Sequence, residues 1–84
     1  MADVIRVSTI DDHPLFLGGL RRALSRVAGV TVVSEGGTAN DALMIAKNDA
    51  PDVLLLDIGI PGGGIEVLRC IVEEAPRVKV VMLT

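Results

Sequence analysis

Aromatic side chains are almost missing from this chain: Phe16 stands alone, with neither Trp nor Tyr. That removes the stacking surfaces on which single-stranded nucleic acid is bound, and leaves no platform for a sugar ring. Cysteine is as scarce. The single Cys70 excludes an internal disulfide and suits a reducing compartment. Nor is there an excess of positive charge, because the formal net charge is −3, which gives no electrostatic footprint for nucleic acid. No apolar run approaches the roughly 20 residues of a membrane span. The N-terminus, with Asp3 ahead of Val4, lacks the charged and apolar regions of a secretion signal. A soluble cytoplasmic protein with no membrane partner is expected.

What is present is aliphatic. Half of the 84 residues are hydrophobic, enough for one small domain over residues 1–84 that buries roughly 60–65% of its unfolded surface. Val4 to Ile10 reads as a strand. From Pro14 the period changes, and Phe16, Leu20, Ala23, Leu24 and Val27 form a helical stripe. Asp12 is the expected N-cap, Pro14 fits the first turn, and Gly29 ends the helix. Val30 to Ser34 is a second strand, broken by Gly36-Gly37. A second helix runs from Asn40 or Asp41 to about Asn48, with Ala39, Ala42, Leu43 and Ala46 inward. Val53 to Leu56 is continuously apolar, as befits a strand covered on both faces. Val67, Leu68, Ile71, Val72 and Ala75 mark a third helix before Pro76, and Val78 to Leu83 is a fourth strand. Strictly alternating strands and helices imply a parallel α/β sheet with right-handed crossovers.

Carboxylates stand where strands stop. Asp11 and Asp12 follow the first strand and Asp57 follows the third. In a doubly wound sheet the site lies at the carboxyl ends of the strands, where the strand order reverses. The order 2-1-3-4 makes strands one and three neighbours there and brings the three acids into one crevice. An isolated Asp-Asp pair is more often a helix cap, but a third Asp on the adjacent strand favours a site. Crowded carboxylates repel unless a cation neutralises them, and magnesium prefers oxygen ligands. An Asp carboxylate can also act as a nucleophile toward a phosphoryl group. Thr84 ends the fourth strand, where its hydroxyl could meet a phosphoryl oxygen on Asp57. The glycines at 62, 63 and 64 would let backbone groups approach an anion.

Asp11-Asp12-His13-Pro14, Leu54-Leu55-Leu56-Asp57-Ile58-Gly59-Ile60-Pro61 and Val80-Val81-Met82-Leu83-Thr84 together resemble the receiver domain of bacterial two-component response regulators. The Asp-Asp-His-Pro opening is similar to the subfamily whose receivers precede a helix-turn-helix DNA-binding domain. The resemblance implies a flavodoxin-like doubly wound sheet of order 2-1-3-4, ending before the family's fourth helix, fifth strand and fifth helix. It implies that Asp57 accepts a phosphoryl group from a sensor histidine kinase and that Asp12 binds Mg2+ directly. Asp11 would act largely through metal-bound water, the Gly59 carbonyl would be a further ligand, and Thr84 would be the switch hydroxyl. DNA would be contacted only through an output domain outside residues 1–84.

The sequence departs from the family in two respects. The loop between Pro61 and Ile65 is one residue shorter than usual. The family's phosphoryl-pairing lysine, carried on the fifth strand, has no counterpart, since neither Lys47 nor Lys79 is placed to replace it. A pseudo-receiver that no longer switches, or a protein-interaction fragment, is therefore an alternative reading. A phosphohydrolase is disfavoured because Gly59 stands where its second acid belongs. His13 is expected to be solvated or metal-adjacent, Cys70 a small packing residue, and Arg21, Arg22 and Arg26 a solvated face. Leu15, Leu17 and Gly18 are candidates for kinase docking, whereas Met44 and Ile45 lie off their helix's stripe, exposed or against another chain. The fourth strand, at a sheet edge, or the uncovered sheet face beside it is expected to mediate homo-oligomerisation.

Overall fold

A computed structural model describes residues 3–84. Its elements are β1 (Ile5–Ile10), α1 (Pro14–Leu24), β2 (Val30–Gly36), α2 (Ala39–Asn48), β3 (Val53–Asp57), α3 (Gly64–Glu74) and β4 (Lys79–Leu83). The four strands form one sheet of order β2-β1-β3-β4, parallel throughout, as expected. Right-handed crossovers assign the helices to faces. The chain moves one way across the sheet from β1 to β2, then the other way from β2 to β3 and from β3 to β4. That direction change puts α1 on one face, and α2 and α3 on the other.

The core lies on the α2/α3 side. Ile10, Leu54 and Leu56 project from the sheet into a cluster with Ala42 and Ala46 of α2, Val67 and Ile71 of α3, and Ile60 and Val78 from the connections. Burying a Leu or Ile side chain contributes about 1.5–3 kcal/mol, so this layer holds most of the fold's apolar stabilisation. The α1 side is thinner. No α1 residue is fully buried, and Val53 and Leu55 of β3 are only half-buried while Leu54 and Leu56 are sealed. Coverage of both faces of β3, expected from the apolar run, is thus complete on the α2/α3 side and partial on the α1 side, where Val7 and Thr9 of β1 are nevertheless buried.

Several local expectations need correction. The N-cap of α1 is His13, with no side-chain cap bond; both preceding carboxylates turn toward His13, so Asp12 does not cap. The helix ends at Leu24, with Ser25 as C-cap. Tight turns follow, with Arg26 N–H on the Ala23 carbonyl and Val27 N–H on the Leu24 carbonyl. Gly29, at φ +81°, therefore opens β2 instead of ending α1. Val27 falls outside the helix, and Phe16 remains 47% exposed. Arg21 is not simply solvated, because its Nη1 lies 2.8 Å from Glu35 Oε1.

Thr38 starts α2 earlier than expected through a capping box. Its hydroxyl accepts from the Asp41 N–H at 3.1 Å, and the Asp41 carboxylate accepts from the Gly37 and Thr38 N–H groups. Ile45 packs against the core, leaving Met44 exposed. In α3 the buried stripe is Gly64, Val67 and Ile71. Val72, one residue on from Ile71 and so rotated off that stripe, is 59% exposed. Cys70 is exposed and does not serve as packing.

Two expectations follow from the cap and the edge. Thr38→Ala should lower stability by about 1 kcal/mol in a denaturant titration. The Asp41 carboxyl is held below its ordinary 3.8, first by the Gly37 N–H and then by Thr38. Its contribution is therefore complete above pH 3.8 and is lost as pH falls through the depressed folded value; Asp41→Asn should flatten that acid limb. At the edge, β4 pairs only with β3 among the described residues and exposes Val81 beside half-buried Val80, Met82 and Leu83. Unpaired apolar edges template association, so the 84-residue polypeptide should sediment as a concentration-dependent oligomer. A monomer throughout the micromolar range would contradict this.

Candidate functional site

The register of β1 and β3 builds the site. Ile10 pairs with Leu56, so the next residue of each chain segment, Asp11 and Asp57, leaves the sheet at the same level. Asp12 and His13 follow before α1 begins. One ligand atom from each of Asp11, Asp12, His13 and Asp57 lies within 4.8 Å of all the others. The sequence-predicted acids are therefore brought together at the carboxyl edge of the two central strands.

Asp11 is the inner member, 7% exposed. Its Oδ1 accepts the His13 backbone N–H at 2.8 Å and contacts His13 Nδ1 at 2.7 Å. Asp12 is exposed and its Oδ1 lies 3.1 Å from the same ring nitrogen. The hydrogen bond to Asp11, followed by the charges of Asp12 and Asp11, raises the pKa of His13 above its ordinary 6.5. His13 is thus both exposed and adjacent to the acids, where a protonated ring partly offsets their charge. The donor set of three carboxylates at one edge suits a hard divalent cation such as magnesium.

Asp57 is half-buried, and its Oδ1 accepts the Gly59 N–H at 3.3 Å. Its neighbour across the sheet is Leu83, whose carbonyl accepts the Ile58 N–H at 3.1 Å. Thr84, exposed, is the next residue beyond that pair. The same carboxyl edge therefore carries Thr84 one strand over. Lys79 begins β4 at the far end, and Lys47 is paired with Glu74 at 3.0 Å, so neither lysine reaches the acids.

The glycines after Pro61 have a structural use that sequence reasoning missed. Gly62 and Gly63 take φ values of +93° and +92°, which turn the chain into α3. Gly64 packs its α-carbon onto the Asp57–Ile58 backbone: a Cβ there would stand 2.7 Å from the Ile58 carbonyl oxygen and 2.8 Å from that of Asp57. The sequence signal was available in the Gly run itself, though not which glycine meets which atom. Gly64→Ala should therefore cost about 1–3 kcal/mol, read by chemical denaturation. Gly18→Ala, at a position with no atom within 4 Å of the added carbon, should not destabilise.

Comparison with known proteins gives a consistent answer. Residues 7–84 match the family described as the response regulator receiver domain. The response regulator UvrY of Escherichia coli K12 is 40% identical over 82 residues, which is 96% of this chain and 38% of that protein. The response regulator GacA of Pseudomonas aeruginosa is 38% identical with the same coverage. Among solved structures, the receiver domain of the putative response regulator NarL from Mycobacterium tuberculosis superposes with a TM-score of 0.89 at 38% identity, covering 95% of this chain and 65% of that one. A complex of the response regulator RcsB with DNA gives 0.90 at 28% identity, covering 98% and 43%. The chain thus spans well under half the length of the curated relatives it matches. With the order β2-β1-β3-β4 and the acids that follow β1 and end β3 at one edge, the chain belongs to the response regulator receiver domain family.

Proposed function

We propose that this chain is a phosphoacceptor signalling module that takes a phosphoryl group from a phosphohistidine of a sensor kinase onto Asp57. The observation that supports the reading best is the convergence of Asp11, Asp12 and Asp57 within 4.8 Å at the carboxyl edge of neighbouring strands. Gly59 N–H holds Asp57 Oδ1, which leaves Oδ2 to attack phosphorus. An Oδ2–P bond forms, the N–P bond breaks, and its electron pair returns to the donor imidazole. Magnesium, which Asp12, Asp57 and the Gly59 carbonyl would hold directly and Asp11 largely through metal-bound water, would neutralise charge on the acids and the phosphoryl oxygens. The Thr84 hydroxyl would donate to a phosphoryl oxygen.

Leu15 is 94% exposed and, with half-buried Leu17 and Gly18, lies on the first turns of α1 beside the acids. These residues offer the kinase a docking surface. We assign the module to the cytoplasm; no helix among the described residues is long and apolar enough to cross a membrane. In the parent protein, phosphorylation would control a transcriptional output through a DNA-binding part outside residues 1–84, by analogy with RcsB. The role is one of signalling and not of catalytic turnover.

Incubation with acetyl phosphate and magnesium should add one hydroxylamine-sensitive phosphoryl group, mapped to Asp57 by mass spectrometry. Asp57→Asn should abolish it and weaken magnesium binding about tenfold or more. A label that survives the substitution, or equal magnesium affinity in both proteins, would overturn the assignment.

A further inference from the structure

The pairing of β1 with β2 skips a residue. Val7 pairs with Val32, yet Ser8 pairs with Ser34 and Thr9 with Glu35, so Val33 is an extra residue that shifts the register. Side chains alternate faces along a strand, and the shift decides which face Glu35 takes. Ser8 and Ser34 meet through their hydroxyls at 2.6 Å, on the same face as core residue Ile10. Thr9 and Glu35 consequently share the opposite face, toward α1. An unshifted register would have set Glu35 opposite Ile10, on the core side.

Under α1 these two residues leave polar atoms unpaired. Glu35 Oε1 meets Arg21 Nη1 at 2.8 Å, but Glu35 Oε2 is buried and makes no hydrogen bond to any described group. Thr9 is 1% exposed, and its Oγ1 is likewise buried without a partner. Thr9 and Glu35 are cross-strand neighbours, and their buried hydroxyl and carboxylate oxygen are a donor and an acceptor that one water molecule between them would satisfy together. The location matters because α1 is held by little else. Its Leu17, Leu20 and Leu24 are only half-buried, whereas α2 and α3 each carry fully buried residues. Pro14, the first residue of α1, comes two positions after Asp12, so the placement of the helix bears on how Asp12 and His13 sit beside Asp11.

We infer that Thr9, Glu35 and Arg21 form a hydrated clamp, with one water bridging Thr9 Oγ1 and Glu35 Oε2, that positions α1 and through it the Asp11-Asp12 pair. Glu35 and Thr9 are positioning residues: they touch neither the cation nor the phosphoryl group. The functional consequence rests on the cation-binding reading of the acids proposed above, and the clamp itself does not.

Glu35→Leu, which keeps the length of the side chain's carbon stem but neither oxygen, Thr9→Val and the double variant test it, with two readouts. Amide hydrogen exchange across residues 15–24 reports the hold on α1, and magnesium titration reports the acidic corner. Each single variant should accelerate α1 exchange and raise the magnesium dissociation constant about threefold to tenfold. Because a bridge is lost whole when either end is removed, the double variant should be no worse than the larger single effect. Thr9→Ser, which keeps the hydroxyl, should behave as wild type. Additive effects of Thr9→Val and Glu35→Leu, or unchanged α1 exchange in both, would overturn the clamp. A wild-type chain that binds no magnesium would refute the cation-binding reading instead, with α1 exchange still deciding the clamp.

Discussion

The register between β1 and β3 is the constraint on which the rest of the molecule depends. With Ile10 opposite Leu56, both strands run out at one level, and the residues that follow are acids on each. A slip of one residue would turn Leu54 and Leu56 out of the core and separate Asp57 from Asp11. The apolar stabilisation of the sheet and the electrostatic frustration of the site are thus set by the same backbone pairing. The core energy of Ile10, Leu54 and Leu56, all nearly sealed from solvent, opposes the mutual repulsion of the carboxylates beyond them.

The two faces of the sheet are built by different means. On the α2/α3 side, helices are fixed by buried aliphatic side chains and by a complete cap at Thr38 and Asp41. On the α1 side, burial is partial and ionic or polar contacts take a larger share, as between Arg21 and Glu35. The acidic corner is joined to the sheet through β1, yet continues directly into the less buried helix. Asp57, by contrast, leads into a loop tied back by Gly64 against its own backbone. Asp57 is therefore held between β3 and α3, and the Asp11-Asp12 pair between β1 and α1.

Much of this was legible in the residues. Alternating apolar strands and helical stripes fixed the parallel α/β class, and the positions of Asp11, Asp12 and Asp57 at strand ends selected the strand order. The departures have local physical causes. A heptad-like stripe through Val27 overran α1 because periodicity does not register where the chain tightens into turns after Leu24. The start of α2 was marked by Thr38-x-x-Asp41, a reciprocal cap that outweighs the apolar pattern. The contact between Gly64 and the Asp57 backbone, and the register shift at Val33 that sends Glu35 toward α1, depend on tertiary approach and strand pairing. Neither the glycine run nor the alternation in β2 encodes such distances on its own.

Cys70 is the only sulfhydryl in the sequence, and it lies exposed on α3, the helix whose first residue abuts Asp57. The chain is therefore furnished with one natural attachment point for a fluorophore or spin label. A reporter fixed there would follow the orientation of α3 relative to the sheet without any engineered thiol and without touching a side chain of the acidic corner.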